Sequence, residues 1–294
     1  MRYTVRHSTI YSYTDPVPVC HNQVRLTPRA TTGQTCREHQ LMVDPQPSIR
    51  TVRRDYFGNE VEYFSIQEAH DGLCVTATSI VEVSAPARPK GEKSPAWEDV
   101  AAAIPNDSSA DGLAVYLMTL ASPRVRPSDA LRDYAAPSFA ARRPIFDAVR
   151  DLASRIHADF PFDAKATTVH TPPEDLLALR RGVCQDFAHL AIGCLRSMGL
   201  AARYVSGYVS TSPPPGRPRL MGADASHAWV SAFCGPLGWI DFDPTNDAVV
   251  GNWHITIGWG RDYGDICPIQ GVFIGGGQHS MKIAVDVVPA ATKA

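Results

Sequence analysis

Between Gly182 and Gly199 the chain reads G-V-C-Q-D-F-A-H-L-A-I-G-C-L-R-S-M-G, and no other stretch limits the fold as much. From Cys184 onward, Phe187, Ala188, Ala191, Cys194, Leu195 and Met198 recur at steps of three and four, the spacing of one apolar helical face. Gly199 ends the pattern as a C-terminal glycine does. A buried helix is therefore expected to begin at Cys184, and the chain beyond Gly199 turns to strands on which it can pack. A cysteine in a first helical turn sits among unpaired backbone N–H groups, at the positive end of the dipole, and both favour the thiolate. The question is whether the chain supplies a base and an orienting acid to use it.

The rest of the composition narrows the setting. With 294 residues, 44% hydrophobic and 20% charged, the chain has the make-up of a globular protein with one large domain or two ordinary ones. A formal net charge of −2 gives no basic surface for nucleic acid or anionic membrane, so neither is expected as a partner. Twenty-four prolines favour loops and short strands over a helical bundle. The seven cysteines are scattered and form no C-x-x-C pair, which argues against a zinc ribbon or a thioredoxin-like motif. Apart from Cys184 they read as free buried thiols of a reducing compartment. The N-terminus has no apolar run of signal-peptide type, and no eighteen-residue apolar run occurs elsewhere. A soluble, cytoplasmic protein is expected.

Residues 3–83 read as strands broken by proline and glycine: Tyr3 to Tyr13, Val24 to Leu26, His39 to Val43, Ile49 to Arg53, Val61 to Ile66 and Val75 to Val83. The segment Asp55-Tyr56-Phe57-Gly58-Asn59 is a hairpin turn. Short strands at roughly ten-residue spacing predict an antiparallel β-sandwich over residues 1–85. A proline-rich linker and short helices follow over 86–142, with helices at Trp97 to Ile104 and Leu113 to Leu120. The remainder, 143–294, holds a longer helix from Pro144 to His157, a short one at Leu176 to Arg180, and the Cys184 helix. Its strands are Ala201 to Ser210, Ser226 to Phe233, Gly238 to Phe242, Val249 to Gly260 and Met281 to Val288, the last two closing the domain.

Alternation along Asp224-Ala225-Ser226-His227-Ala228-Trp229-Val230 puts His227, Trp229 and Ser231 on one face. In the next strand, Trp239, Asp241 and Asp243 share a side. If these strands are antiparallel neighbours across Cys234 to Leu237, His227 and Asp243 lie at the same open end. A carboxylate there would fix the imidazole's tautomer and orientation, although Asp241 competes with Asp243 for the role.

A cysteine opening a helix, a histidine on one strand and an aspartate ending the next form an ordered set, and here the sequence resembles the transglutaminase-like superfamily of cysteine hydrolases and acyltransferases. The matching pieces are G-V-C-Q-D-F-A-H-L, A-A-R-Y-V-S-G-Y-V, S-H-A-W-V and G-W-I-D-F-D-P-T-N. The N-terminal R-L-T-P and D-Y-F-G-N-E-V resemble the β-domain of bacterial members, and G-R-D-Y-G-D-I-C-P-I-Q-G resembles their closing segment. The resemblance implies an α+β fold, with the sandwich followed by a papain-like core. It casts Cys184 as nucleophile, His227 as general base and acid, and Asp243, through D-P-T-N, as the orienting residue. The Cys184 N–H would then serve an oxyanion hole.

Around this set, Asp186 reads as a complement to the helix dipole and His189 as a helix-packing residue. Tyr208 and Trp229 either line an acyl pocket or belong to the core. Asp224 supports the loop before His227, and the resemblance implies that Arg261-Asp262-Tyr263 borders the site. The expected chemistry is acyl transfer through a thioester, from a peptide or protein carrying an amide acyl donor. Hydrolysis is the favoured outcome because the chain lacks a D-x-D-x-D-G calcium loop. Transfer to an amine, as in a true transglutaminase, and a non-catalytic scaffold are the alternatives. A zinc site made of the same three residues lacks a second Cys or His at ligand spacing, so no metal or cofactor is expected.

Overall fold

The computed structural model describes residues 1–84, 94–210 and 226–290. Most of the linker (85–93), the proline-rich loop expected at Thr211 to Gly222, and Asp224 fall outside them.

Six strands open the chain: β1 (Arg2–Val17), β2 (Val19–Val24), β3 (Gln34–Asp44), β4 (Ile49–Arg54), β5 (Glu60–Ile66) and β6 (His70–Val83). Along β1 and β6 the odd-numbered residues from Tyr3 to Thr9 and from Leu73 to Val83 are buried, while their even-numbered neighbours are largely exposed or half-buried. That is the period-2 signature of a sheet with one covered face.

Two four-stranded antiparallel sheets result, and both are completed from the far end of the chain. Strand β12 (Ile269–Ile274) pairs with β2, and β13 (His279–Pro289) pairs with β1 from Tyr3↔Pro289 to Tyr13↔His279. The strand orders are β13-β1-β6-β3 and β12-β2-β5-β4. Here the structure departs from the sequence reading: the last strands close the sandwich, not the region that follows it. Without β13, the sixteen-residue β1 would present a long bare edge, which folded sheets avoid.

The covered face of the first sheet serves two partners. Leu73, Val75, Ala77 and Leu41 pack with Phe64, Ile66 and Val24 of the second sheet. Further along the same strands, Tyr3, Val5, Val81, Val83, Val285 and Val287 pack with Tyr208, Ile255 and Ile257. The latter belong to a third sheet, of order β10-β9-β8-β7-β11 and antiparallel throughout. Its strands are β7 (Ala202–Val209), β8 (His227–Phe233), β9 (Trp239–Asp243), β10 (Ala248–Val249) and β11 (His254–Gly260). Arg29 of the sandwich and Arg203 of β7 both lie over Trp259 of β11, at 3.6 and 3.8 Å from its centroid. These cation–π contacts add a second tie between the units.

Six α-helices accompany this sheet: α1 (Trp97–Ala103), α2 (Ala110–Leu117), α3 (Asp129–Ala135), α4 (Ile145–Asp159), α5 (Pro173–Leu179) and α6 (Cys184–Ser197). The sequence reading has no counterpart for α3, whose Ser128 accepts the N–H of Leu131 as an N-cap. The short helices of the expected linker region are part of the core. Val100, Ile104, Val115, Leu131 and Ala135 share one apolar cluster with α4, α6 and the faces of β7 and β8 that carry Tyr204, Ala228 and Val230. Among the described residues no helix is long and apolar enough to cross a membrane.

Helix α6 is buried along nearly its whole length, so its one cation needs internal partners. The Arg196 guanidinium donates to the carbonyls of Met118, Ala202 and Arg261 and to Ser122 Oγ. Gly199, at φ 77°, closes the helix in the left-handed conformation, and Leu200 N–H returns to Leu195 O at 2.9 Å.

A second glycine decides how β7 and β8 pack. A Cβ at Gly207 would lie 2.2 Å from Ile255 O and 2.4 Å from the Trp229 ring. Gly207→Ala is therefore expected to lower stability by about 3 kcal/mol or more through overpacking. A chemical-denaturation midpoint like that of the parent would contradict this close approach.

Candidate active site

Cys184 is the first residue of α6, with Val183 as N-cap. The cap is made from within the helix: Asp186 Oδ2 accepts Val183 N–H at 2.8 Å and Thr167 Oγ1–H at 2.6 Å. Burial raises the Asp186 pKa against those two hydrogen bonds. Asp186 is thus tied to the helix start that holds the cysteine. Cys184 is half-buried, unlike the fully buried Cys194 further along the same helix.

His227 opens β8 and Asp243 ends β9, and the register Val230↔Phe242 makes these strands antiparallel neighbours. The two side chains meet at that end. His227 Nε2 lies 2.8 Å from Asp243 Oδ2, with both side chains inaccessible to solvent. Among the described residues, Nδ1 is the ring nitrogen left without a hydrogen-bond partner. Burial alone would lower the His227 pKa; the Asp243 carboxylate outweighs it, Cys184 adds to the effect, and the pKa rises. Asp243 moves the other way. Burial would raise its pKa, but His227 and His254 together hold it far below the usual carboxylate range.

Five donors surround the Asp243 carboxylate. Oδ1 accepts the backbone N–H groups of Thr245 and Asn246 at 3.0 and 3.2 Å. Oδ2 accepts His227 Nε2–H, Asn246 Nδ2–H at 2.7 Å and His254 Nε2–H at 3.1 Å. The D-P-T-N turn supplies three of the five from its own residues, which explains why a carboxylate can stay charged in a fully buried position. Asp241 faces elsewhere: its Oδ2 accepts Trp229 Nε1–H at 3.0 Å.

His254 was not singled out from the sequence. It begins β11, paired with Val209, and only the folded sheet brings it across β7 to Asp243. The one local signal is W-H-I-T-I after glycine, a strand start with nothing to mark its histidine.

The flanking candidates separate by face. In β7, Ser206 pairs with Ala228 and Gly207 with His227, so Tyr208 falls on the side opposite His227. Its hydroxyl bonds His7 Nδ1 at 2.8 Å within the inter-sheet core. Of its two readings, acyl-pocket wall or core aromatic, these contacts fit the second. Trp229 is also fully buried, 6.1 Å from His227 between ring centroids and edge-on to His254 at 5.3 Å. It packs beside the His227 and His254 rings. His189 accepts Tyr263 N–H at 3.1 Å, and Asp262 accepts the Arg124 and Gly264 N–H groups, so the Arg261-Asp262-Tyr263 turn is anchored to α6. No group of three or more His, Cys, Asp or Glu among the described residues is arranged to hold a metal ion.

Comparison with known proteins agrees with this architecture. Residues 3–82 match the bacterial transglutaminase-like N-terminal region, and residues 132–244, which contain Cys184, His227 and Asp243, match the core of the transglutaminase-like superfamily. The chain belongs to the transglutaminase-like superfamily. An uncharacterized protein of Mycobacterium tuberculosis is 43% identical over 293 residues, covering 98% of this chain and 93% of the relative. One of Mycobacterium leprae is 34% identical, covering 97% and 98%. The crystal structure of a candidate cysteine protease from Cytophaga hutchinsonii covers 100% of this chain and 92% of its own at a TM-score of 0.73, with 20% identity. The fold shared with that structure therefore extends through both units of the chain.

Proposed function

We propose that the protein cleaves amide bonds through a thioester on Cys184, with His227 as general base and acid and Asp243 orienting it, and that the usual outcome is hydrolysis of a peptide or isopeptide bond. One observation carries the reading: the His227 ring, held through Nε2 by Asp243, keeps its Nδ1 free while Cys184 acts on the same imidazole. Nε2–H donation to the carboxylate leaves Nδ1 as the atom that takes the thiol proton. The thiolate attacks the carbonyl carbon, a C–S bond forms, and the C–N bond breaks as Nδ1–H protonates the leaving amine. Water then attacks the thioester, giving its proton to Nδ1, and the C–S bond breaks to release a carboxylic acid and the thiolate. The Cys184 N–H, in the first turn of the helix, supports the oxyanion. Transfer to an amine shares the first half and requires a site that admits the amine while excluding water. With Cys184 only half-buried, water is the acceptor we assign.

Limiting iodoacetamide followed by peptide mapping tests the nucleophile. Cys184 should be carboxamidomethylated ahead of the other six cysteines, and His227→Ala should slow its labelling by about tenfold or more. Even labelling across several cysteines would remove the assignment. Casein incubated with and without a fluorescent alkylamine then reads the acceptor. New peptide products without bound dye support hydrolysis, whereas dye coupled to intact casein replaces it with transfer.

A further inference from the structure

Two imidazoles share one carboxylate oxygen in this protein: His227 and His254 both point Nε2 at Asp243 Oδ2, at 2.8 and 3.1 Å. One negative charge can back only one imidazolium well, so something must decide which ring takes the proton. The other nitrogen of each ring supplies the difference. Nδ1 of His227 has no hydrogen-bond partner among the described residues. Nδ1 of His254 lies 3.4 Å from the backbone nitrogen of Gly251, whose N–H points at it. That N–H can only donate, so Nδ1 of His254 must be an acceptor and its proton must sit on Nε2. Protonating His254 would set an N–H against an N–H at a ring that is itself only 2% exposed.

Resting on the proposed function above, we infer that His254 is a positioning residue, held as a permanently neutral Nε2–H donor by Gly251, which fixes Asp243 Oδ2 and reserves the carboxylate charge for the imidazolium of His227. The charged and titratable groups acting on His254 are Asp243 and Asp241 of β9 and His227 of β8. Burial and the His227 charge disfavour a cation on His254, and the two aspartates favour one. The Gly251 N–H works on the disfavouring side. Trp229, edge-on to the His254 ring at 5.3 Å, and Trp253, at 5.9 Å, keep the ring from rotating out of this arrangement.

The assignment separates His254 from an ordinary packed side chain. A packing residue is replaceable by any group of its size; a donor is replaceable only by a donor. His254→Gln, whose terminal NH₂ can reach the same oxygen, should keep the rate of Cys184 alkylation by iodoacetamide within about threefold of the parent, with an unchanged pH profile. His254→Leu should slow alkylation at pH 6 by about tenfold or more and move the profile toward that of an unassisted thiol, because Asp243 loses a fixing donor and backs the imidazolium less well. A folded His254→Leu protein with the parent profile overturns the inference.

A measurement on the unmodified protein covers the case in which His254→Leu does not fold. With ¹⁵N-labelled histidine, the imidazole nitrogens of His254 should report the neutral Nε2–H tautomer at every pH through which His227 titrates. A His254 ring that is Nδ1–H, or that gains its proton before His227, overturns the inference whatever the variants do. Failure of the function reading looks different. Cys184 of the parent would then show no preferential alkylation, while the tautomer result would stand unchanged.

Discussion

Replacing Cys184 with alanine is expected to remove turnover of an amide donor by a factor of about 10⁴ or more in kcat, and replacing His227 with alanine should cost nearly as much. The double variant should be no worse than either single one. The reason is that thiolate and imidazole act as one unit: without the base the thiol is a weak nucleophile, and without the sulfur the base has nothing to activate. What remains in all three proteins is donor binding and the backbone N–H at the α6 start, so binding of a peptide donor should change little. The check is kcat and KM for the parent, both singles and the double on one peptide donor. Single-variant losses that multiply in the double would mean that the two residues act independently, and the triad reading would fall.

The elements of that unit differ in how plainly the sequence announces them. Helix α6 follows from its spacing of Phe187, Ala188, Ala191 and Leu195 and its terminal Gly199, and those residues are buried as the pattern demands. The pairing of β8 with β9 follows from alternation and from the short Cys234–Gly238 connection, whose N–H and carbonyl close on each other at 2.8 Å. These are local signals, and local periodicity survives in a sequence. The route of β12 and β13 back to the sandwich does not, because pairing of Tyr3 with Pro289 joins residues from the two ends of the chain. The same limit applies to His254. Its partner is eleven residues away in sequence, but their meeting depends on β7 lying between β8 and β11, and on Gly207 leaving space for Trp229. Tyr208 shows a third limit. Periodicity places it opposite Gly207 in facing, yet nothing in the strand itself says that this end of the face meets the sandwich.

Asp243→Asn gives the sharpest test of how the site is wired, because the hydrogen bonds dictate which way the amide must turn. Two backbone N–H groups, from Thr245 and Asn246, already point at Oδ1, so the amide oxygen will settle there. The NH₂ then faces His227 Nε2, where a carboxylate oxygen stood. To accept from it, His227 must carry its proton on Nδ1, the atom that should take the thiol proton, and the base is lost. A fall of about 10⁴ in kcat is expected, with Cys184 alkylation slowed in step. Stability should suffer as well. Removing the acceptor from a fully buried ion pair costs about 3–5 kcal/mol, and here the His254 N–H loses its acceptor too.

The pH dependence of that loss has a definite sign. The raised His227 pKa adds stability below the ordinary histidine value of about 6.5 that fades as pH climbs through the folded value. The depressed Asp243 pKa adds stability above the ordinary carboxylate value of about 3.9 that fades as pH falls toward the folded one. Both describe one interaction. The gap between parent and Asp243→Asn in unfolding free energy should therefore be widest between about pH 4 and 7 and narrow toward either side. Urea unfolding of both proteins from about pH 2 to about pH 10 is the measurement. A gap that stays constant with pH would mean that Asp243 and His227 carry no charge on each other in the folded protein, and the orienting role of Asp243 would fall with it.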